Sequence, residues 1–340
     1  MKRGTDKRKR ALFTSHTANF QKFNHSAMAL LKNNDWQVDY ASTNEEKIKG
    51  ADEVFKVNFA RSPWRIGKHL KAYRQLKKIL KINHYDIIHT HTPVGSIITR
   101  LAARKYRQKQ TKVIYTTHGF HFYHGASILN WLLWYPIEKI AARWTDMLIT
   151  INKEDYERAK KHFRTEVVYV PGVGADPKKF DIKMTETEKN KYRQTLGLSP
   201  DDHVIIYVAE LSKRKNQEAL LKELAPTIAK NPKTQVLLVG EDNLNGKVQK
   251  LAEQLGIVKN VHLLGYRTDI PELLKISDEY RSTSRQEGLA LNIIEARLAG
   301  LPVKATKIRG HEPAFISDVT EFLTPNINKK MAKIYGVKDI

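Results

Sequence analysis

Short apolar runs alternate with longer helical patterns along the first half of the chain. The runs Ala11–Thr14, Val38–Ser42, Val54–Phe59, Tyr85–His89, Val113–Thr117, Met147–Ile151 and Val167–Val170 predict strands. Between them, Ile66, Leu70, Tyr73, Leu76 and Leu80 recur at helical spacing, with Lys and Arg on the opposite face. Such alternation predicts a parallel sheet covered by helices. The pattern then restarts: Val204–Val208, Val236–Val239, Val261–Leu264 and the region around Tyr280 predict strands, again with helices between. Pro171–Thr187, rich in Gly, Pro and charge, reads as the boundary. The expected fold class is α/β, with two doubly wound domains, 1–175 and 176–325, facing across a cleft, and a C-terminal tail, 326–340.

In open α/β sheets, ligands bind beyond the carboxyl ends of the strands. Three predicted strands of the first domain end in imidazoles and hydroxyls: Ser15-His16-Thr17, Thr90-His91-Thr92 and His118-Gly119-Phe120-His121. A lone histidine is ordinarily structural, but three strand ends delivering them to one edge point to a shared site. In the second domain the first strand runs into Glu210 and then Lys213-Arg214-Lys215, cations that suit a diphosphate or else solvate a helix start. Val261–Leu264 leads into Gly265-Tyr266-Arg267, a tight turn whose backbone can meet a planar base. Glu287 and Glu295 follow, eight positions apart, a spacing that puts both on one side of a loop and helix. Gly288 opens the turn, and a helix N-terminus between two carboxylates is an anion site beside two hydroxyl acceptors. The pair also reads as one surface acid and one acid complementing a helix dipole.

The 340 residues, 41% hydrophobic, suffice for two packed cores. With no cysteine, disulfides and thiol nucleophiles are excluded, and a reducing compartment is expected. No apolar run reaches 18 residues and no signal-peptide pattern is present, so a cytoplasmic location is expected. The net charge of +23 is uneven: residues 1–137 hold 25 basic and 8 acidic residues, and Val54–Ile137 holds 15 basic residues against the single acid Asp86. A basic face of this kind suits an anionic membrane surface, a lipid phosphate or nucleic acid, or is simply solvated. No nucleic-acid module is recognisable, so nucleic acid is not the expected partner.

The stretch Glu287-Gly-Leu-Ala-Leu-Asn-Ile-Ile-Glu295, continued to Gly300-Leu-Pro302 and backed by Arg309-Gly-His311, resembles the retaining glycosyltransferases of family 4, which have the GT-B fold of two Rossmann-like domains. Thr14-Ser-His-Thr-Ala-Asn-Phe20, His89-Thr-His-Thr-Pro-Val-Gly95 and Thr117-His-Gly-Phe-His-Phe122 resemble bacterial capsule and exopolysaccharide transferases. The resemblance implies an acceptor-binding first domain and a nucleotide-sugar-binding second domain. It implies transfer of a hexosyl or N-acetylhexosaminyl group from a UDP-sugar to a lipid-linked or polysaccharide acceptor, with retention. No Asp-x-Asp element stands in a suitable loop, so neither metal nor cofactor is expected. The resemblance also implies a place on the inner face of the cell membrane, where the basic first domain meets anionic lipid. Glu295 would accept ribose hydroxyls and Glu287 would hold those of the donor sugar. The N–H groups of Gly288, Leu289, Ala290 and Leu291 would meet the diphosphate, which Lys215 and Arg214 would pair. Tyr266 and Arg267 would flank the base. His118 would sit near the reacting carbon or a donor-sugar hydroxyl, with His16, Thr17, His91 and His121 on the acceptor side. Trp131–Trp134 are expected either to touch lipid or to pack in a core helix.

Three features depart from the family pattern. Ala209-Glu210 stands where Gly-Arg is common. Glu279, Arg281, Arg297 and Lys304 put charge where packing is expected, which is costly without partners. The second domain is expected to be shortened, with Met331–Tyr335 a remnant of a helix that returns to the first domain. These departures leave a catalytically impaired relative as one alternative; a UDP-sugar epimerase, which shares the architecture and UDP binding, is another.

Overall fold

The computed structural model describes residues 8–17, 20, 23–44, 47–107 and 110–339. Ala18 and Asn19 of the first histidine motif, and Lys109 of the basic stretch, lie outside the described residues. The chain forms two compact units. One runs to Val173 and resumes at Thr324; the other is Gly174–Leu323.

The first unit is built on seven parallel strands: β1 (Arg10–Thr14), β2 (Gln37–Ser42), β3 (Val54–Lys56), β4 (Ile87–His91), β5 (Lys112–Thr117), β6 (Met147–Thr150) and β7 (Glu166–Tyr169). They are ordered β3-β2-β1-β4-β5-β6-β7. The direction of winding reverses between β1 and β4, so the crevice at the carboxyl ends of those two strands is the switch point where such sheets bind ligands. The side chains of β1, β4 and β6 are almost wholly buried because helices cover both faces. The sequence pattern ends the fourth strand at His89. The structure carries it to His91, because the ladder with β5 continues through His91 opposite Thr116.

The second unit has five parallel strands: β8 (His203–Val208), β9 (Thr234–Val239), β10 (Val261–Gly265), β11 (Glu279–Ser282) and β12 (Val303–Ala305). Their order is β10-β9-β8-β11-β12, with the switch between β8 and β11. Val204, Ile205, Ile206 and Tyr207 are fully buried and centre the core with Leu220, Leu221, Val236 and Leu237. β12 was not among the predicted strands. It is a three-residue edge strand whose Lys304 faces solvent, so it carries no apolar run.

The charges that looked misplaced in sequence are paired. Arg281 donates to Glu279 (2.5 Å) and Glu223 (2.6 Å), and Lys304 reaches Glu279 at 3.2 Å. Arg297 donates to the carbonyls of Pro313 (2.8 Å), Ile316 and Ser317 (2.8 Å), tying the 310-turn region to the helix Leu291–Leu298. Partnering of this kind removes the desolvation objection. The helix Thr324–Tyr335 packs Ile327, Met331, Ala332 and Ile334 into the first unit beside Phe13, Met28 and Ile114. The helix expected over Met331–Tyr335 begins at Thr324 in the structure.

Candidate functional site

The second unit gathers its chemistry at the β8/β11 switch point. After β8 the chain turns through Ser212–Asn216 into the helix Gln217–Lys230, with Asn216 in the left-handed region at φ 59°. This turn brings Arg214 and Lys215 back over the loop that follows β11. Glu287 on that loop is buried, at 8% exposure. Its Oε1 accepts from Lys215 Nζ (2.5 Å) and Ser284 Oγ (2.8 Å), and its Oε2 from Arg214 (2.9 Å). Burial raises the Glu287 pKa, but Lys215 first and Arg214 second outweigh it, and the carboxyl lies below its ordinary value. Tyr207 braces the cluster, donating to the Lys215 carbonyl (2.9 Å) and meeting Ser284 Oγ (2.7 Å).

Gly310 fixes how close this loop can come. A Cβ there would lie 2.4 Å from Glu287 Cβ and 2.7 Å from its carbonyl carbon, so only glycine allows the approach. The Gly310 carbonyl accepts the Ala290 N–H at 2.8 Å. Ala290 is therefore not a free donor, which corrects the expectation that all four N–H groups from Gly288 to Leu291 meet an anion. Among the described residues, those of Gly288, Leu289 and Leu291 have no partner; the first two precede the helix Leu291–Leu298 and the third opens it. Leu289 and Leu291 themselves pack against Ile294 and Phe322. His311 is fully buried, bonded through Nδ1 to the Thr306 carbonyl (2.7 Å) and through Nε2 to Ser282 Oγ (3.2 Å), and so supports the same loop.

Glu295 is different from Glu287. It is half-buried on the helix, and its carboxyl has no hydrogen-bond partner among the described residues. Burial pushes its pKa up to about 7, with only a partial offset from Lys179. A carboxylate held this way is a ready acceptor for ligand hydroxyls.

Beside these, a cleft of about 410 Å³ opens at the carboxyl ends of β8, β9 and β10, lined by Ala209, Glu210, Gly240, Tyr266, Arg267 and Ile270. Gly240 sits at φ 152°, and a Cβ there would lie 2.2 Å from the Ala209 carbonyl oxygen. Tyr266 is 65% exposed, so its ring can stack on a base. Arg267 is engaged: it pairs with Asp269 (2.5 and 2.9 Å) and reaches Tyr192 (3.3 Å), and Asp269 is held down at about 2 chiefly by that guanidinium. Glu210 also has a cost for anion binding. It takes Arg214 at 3.1 Å and faces the cleft. Glu210→Gln is expected to tighten binding of a diphosphate by about threefold to tenfold by unpairing Arg214. Calorimetric titration reads this, and unchanged or weaker binding would refute it.

In the first unit, the switch point holds a cluster of imidazoles. His91 Nδ1 meets His118 Nε2 at 3.2 Å. His89, two residues earlier on the same face of β4, uses both nitrogens: Nδ1 with Tyr335 hydroxyl (2.6 Å) and Nε2 with Thr116 Oγ1 (2.8 Å). Burial pushes His89 down to about 3 and His118 to about 4, so all stay neutral at pH 7. His118 is also packed edge-on by Phe20 (4.7 Å between centroids). His16 is half-buried and linked through its N–H to Thr92 Oγ1 (3.3 Å), and Thr17 follows it at the same edge. His121 is not in the cluster. It stacks on Trp134 at 4.6 Å and sits among Phe122 and Glu138, away from the other imidazoles. His89, Tyr335, Ser284 and Gly310 are site residues absent from the sequence-derived set. A second histidine two positions from His91 was the signal for His89.

Residues 11–152 match the profile described as glycosyl transferase 4-like, and residues 188–334 that of glycosyl transferases group 1. The putative glycosyltransferase EpsD of Bacillus subtilis is 40% identical over 296 residues, covering 86% of this chain and 77% of that protein. An Escherichia coli UDP-Gal:alpha-D-GlcNAc-diphosphoundecaprenol alpha-1,3-galactosyltransferase is 31% identical over 262 residues, covering 75% of this chain and 66% of its own. Anabaena HepE, solved with UDP and glucose, has a TM-score of 0.73 at 20% identity, covering 96% of this chain and 99% of that one. Two Rossmann-like sheets of this topology, these matches and the EpsD likeness place the chain in the glycosyltransferase family of GT-B fold.

Proposed function

We propose that this glycosyltransferase moves a hexosyl or N-acetylhexosaminyl group from a UDP-sugar to a lipid-linked or polysaccharide acceptor, with retention and without a metal ion. The observation that carries the reading is the Lys215–Glu287–Arg214 cluster beside the unpartnered Glu295 at one sheet switch point. Glycosyl transfer builds negative charge on the departing nucleotide while the sugar becomes oxocarbenium-like. Fixed cations and backbone N–H groups aimed at that charge lower the barrier. Lys215, Arg214 and the N–H groups of Gly288, Leu289 and Leu291 serve the diphosphate. Glu287 orients the sugar, Glu295 the ribose, and Tyr266 stacks on the base. His118 acts on the sugar undergoing transfer, with His16, Thr17 and His91 on the acceptor side. The named activity of the Escherichia coli relative supports the lipid-diphosphate acceptor, and the UDP complex of HepE supports the nucleotide. Titration with UDP, GDP and UDP-sugars tests this: UDP is expected to bind more tightly than GDP, and absence of UDP binding would overturn it. Incubating UDP-sugars without acceptor separates transfer from epimerisation, since only an epimerase changes the sugar.

A membrane surface is the proposed second partner. No helix among the described residues is long and apolar enough to cross a membrane. The helix Ile66–Ile82 packs on Pro93–Arg107, which packs on Ile128–Ala141, so these three form one layer. The first and last begin at the carboxyl edge: Ile66 and Leu70 are exposed on one, with Trp64 in the turn before it, and Ile128, Leu129 and Leu132 on the other. Trp134 is buried, and Trp131 and Leu133 pack beside it, so only Leu132 of that quartet faces out. Exposed apolar side chains, with exposed Arg61, Arg65 and Lys68 adjoining Trp64 and Ile66 in the chain, suit an anionic bilayer interface. Leu129→Asp with Leu132→Asp is expected to lower co-sedimentation with vesicles containing phosphatidylglycerol by about tenfold or more. Equal binding of the wild type to neutral and anionic vesicles would count against the interface.

A further inference from the structure

A cavity of about 30 Å³ lies inside the first unit, lined by Asn24, Ser26, His89, His91, His118 and Met331 among others. That is room for about one or two water molecules. Two polar atoms of lining residues are buried without a partner: Asn24 Oδ1 and His91 Nε2. Asn24 is 1% exposed and His91 3%. Buried polar atoms are nearly always hydrogen-bonded, so these two call for an occupant.

The neighbouring bonds fix what kind. Ser15 Oγ donates to the Thr17 carbonyl (2.7 Å) and therefore accepts from the Tyr40 hydroxyl (2.8 Å). Tyr40, having donated, accepts from Asn24 Nδ2 (3.1 Å). The Asn24 amide is thereby oriented, and its Oδ1 is a bare acceptor. His89 cannot answer it, because both of its ring nitrogens are taken. We propose that a water molecule fills this cavity, accepting from His91 Nε2–H and donating to Asn24 Oδ1, and that this bridge sets the tautomer of His118. With its proton on Nε2, His91 presents a lone pair at Nδ1, which accepts His118 Nε2–H across the observed 3.2 Å. His118 then carries a bare Nδ1, an acceptor for a substrate hydroxyl. The opposite assignment leaves two bare acceptors, so a bridging water would spend both hydrogens on them and keep its own lone pairs in a mostly apolar pocket. Asn24 and His91 are thus positioning residues that act through His118. The catalytic consequence rests on the proposed role of His118 in transfer; the tautomer does not.

Long-range proton–nitrogen correlation spectra of the full chain, labelled with nitrogen-15 histidine and free of nucleotide, test it. The expected wild-type spectrum shows His91 and His118 each protonated only at Nε2, with a cross-peak from His91 Nε2–H to water. Asn24→Leu, which removes the acceptor at similar volume, is expected to convert His118 from one tautomer to a mixture of both. His118 protonated at Nδ1 in the wild type would overturn the proposal, as would absence of the water contact. The wild-type spectrum decides even where Asn24→Leu does not fold. Because no nucleotide is present, failure here leaves the donor reading standing, and failure of UDP to bind leaves the tautomer result standing.

Discussion

Lys215→Met is expected to cut sugar transfer by about 10²–10³-fold and to destabilise the protein by about 2–4 kcal/mol. The two losses have different origins. The side chains of Lys215 and Glu287 are 12% and 8% exposed and 2.5 Å apart. Removing one partner of such a pair leaves a buried charge, which costs far more than the pair contributes net. Arg214 and Ser284 stay with Glu287 and hold the loss below that of a fully orphaned carboxylate. On the proposed mechanism the loss of transfer is instead the loss of a cation from the place where the leaving diphosphate gathers charge.

A double variant separates them. Lys215→Met with Glu287→Gln removes the uncompensated charge and is expected to recover most of the stability, read by chemical denaturation, while transfer stays low. Coupling between contacting residues is what such a cycle measures. If the double variant is no more stable than Lys215→Met, the pair is not what holds the loop. If Lys215→Met transfers sugar at the wild-type rate, the cation has no part in departure of the nucleotide.

The legible parts of this molecule are those where one local rule suffices. Val204–Val208 reads as a strand from sequence because burial on both faces demands a continuous apolar run. Edge strand β12 escapes for the converse reason: Lys304 lies at the rim, where a charge is tolerated. Lys215, Glu287 and Glu295 were legible because they sit in one motif or directly after a strand. What closes the site was not. Gly310 matters through the 2.4 Å between its absent Cβ and Glu287, a contact across 22 intervening residues of backbone path that has no sequence period. Tyr335 reaches His89 from 246 positions away. The charges at Glu279, Arg281 and Arg297 looked like flaws because sequence shows a charge but not its partner.

Glu295→Gln is expected to weaken UDP binding by roughly 1–3 kcal/mol while making the free protein more stable at pH 8 by a similar amount. The stability sign follows from burial. The folded carboxyl titrates near 7, above the ordinary 4.5 that the unfolded chain restores. As pH rises from 4.5 to 7 the unfolded chain gives up this proton and the folded chain keeps it. Wild-type stability therefore falls across that window and levels off above 7, where a half-buried, unpartnered carboxylate must be carried. Glutamine has no such charge, so the two proteins should be equally stable near pH 4.5 and diverge as pH rises. Ligand reverses the preference. Hydroxyl donors favour the carboxylate form, so UDP binding should pull the Glu295 pKa down and release a proton near pH 7. That release is the part of the calorimetric buffer dependence present in wild type and missing in Glu295→Gln. A variant that binds UDP as tightly as wild type would remove Glu295 from the nucleotide site. One that loses affinity without gaining stability at pH 8 would show that the carboxyl is not strained in the free protein.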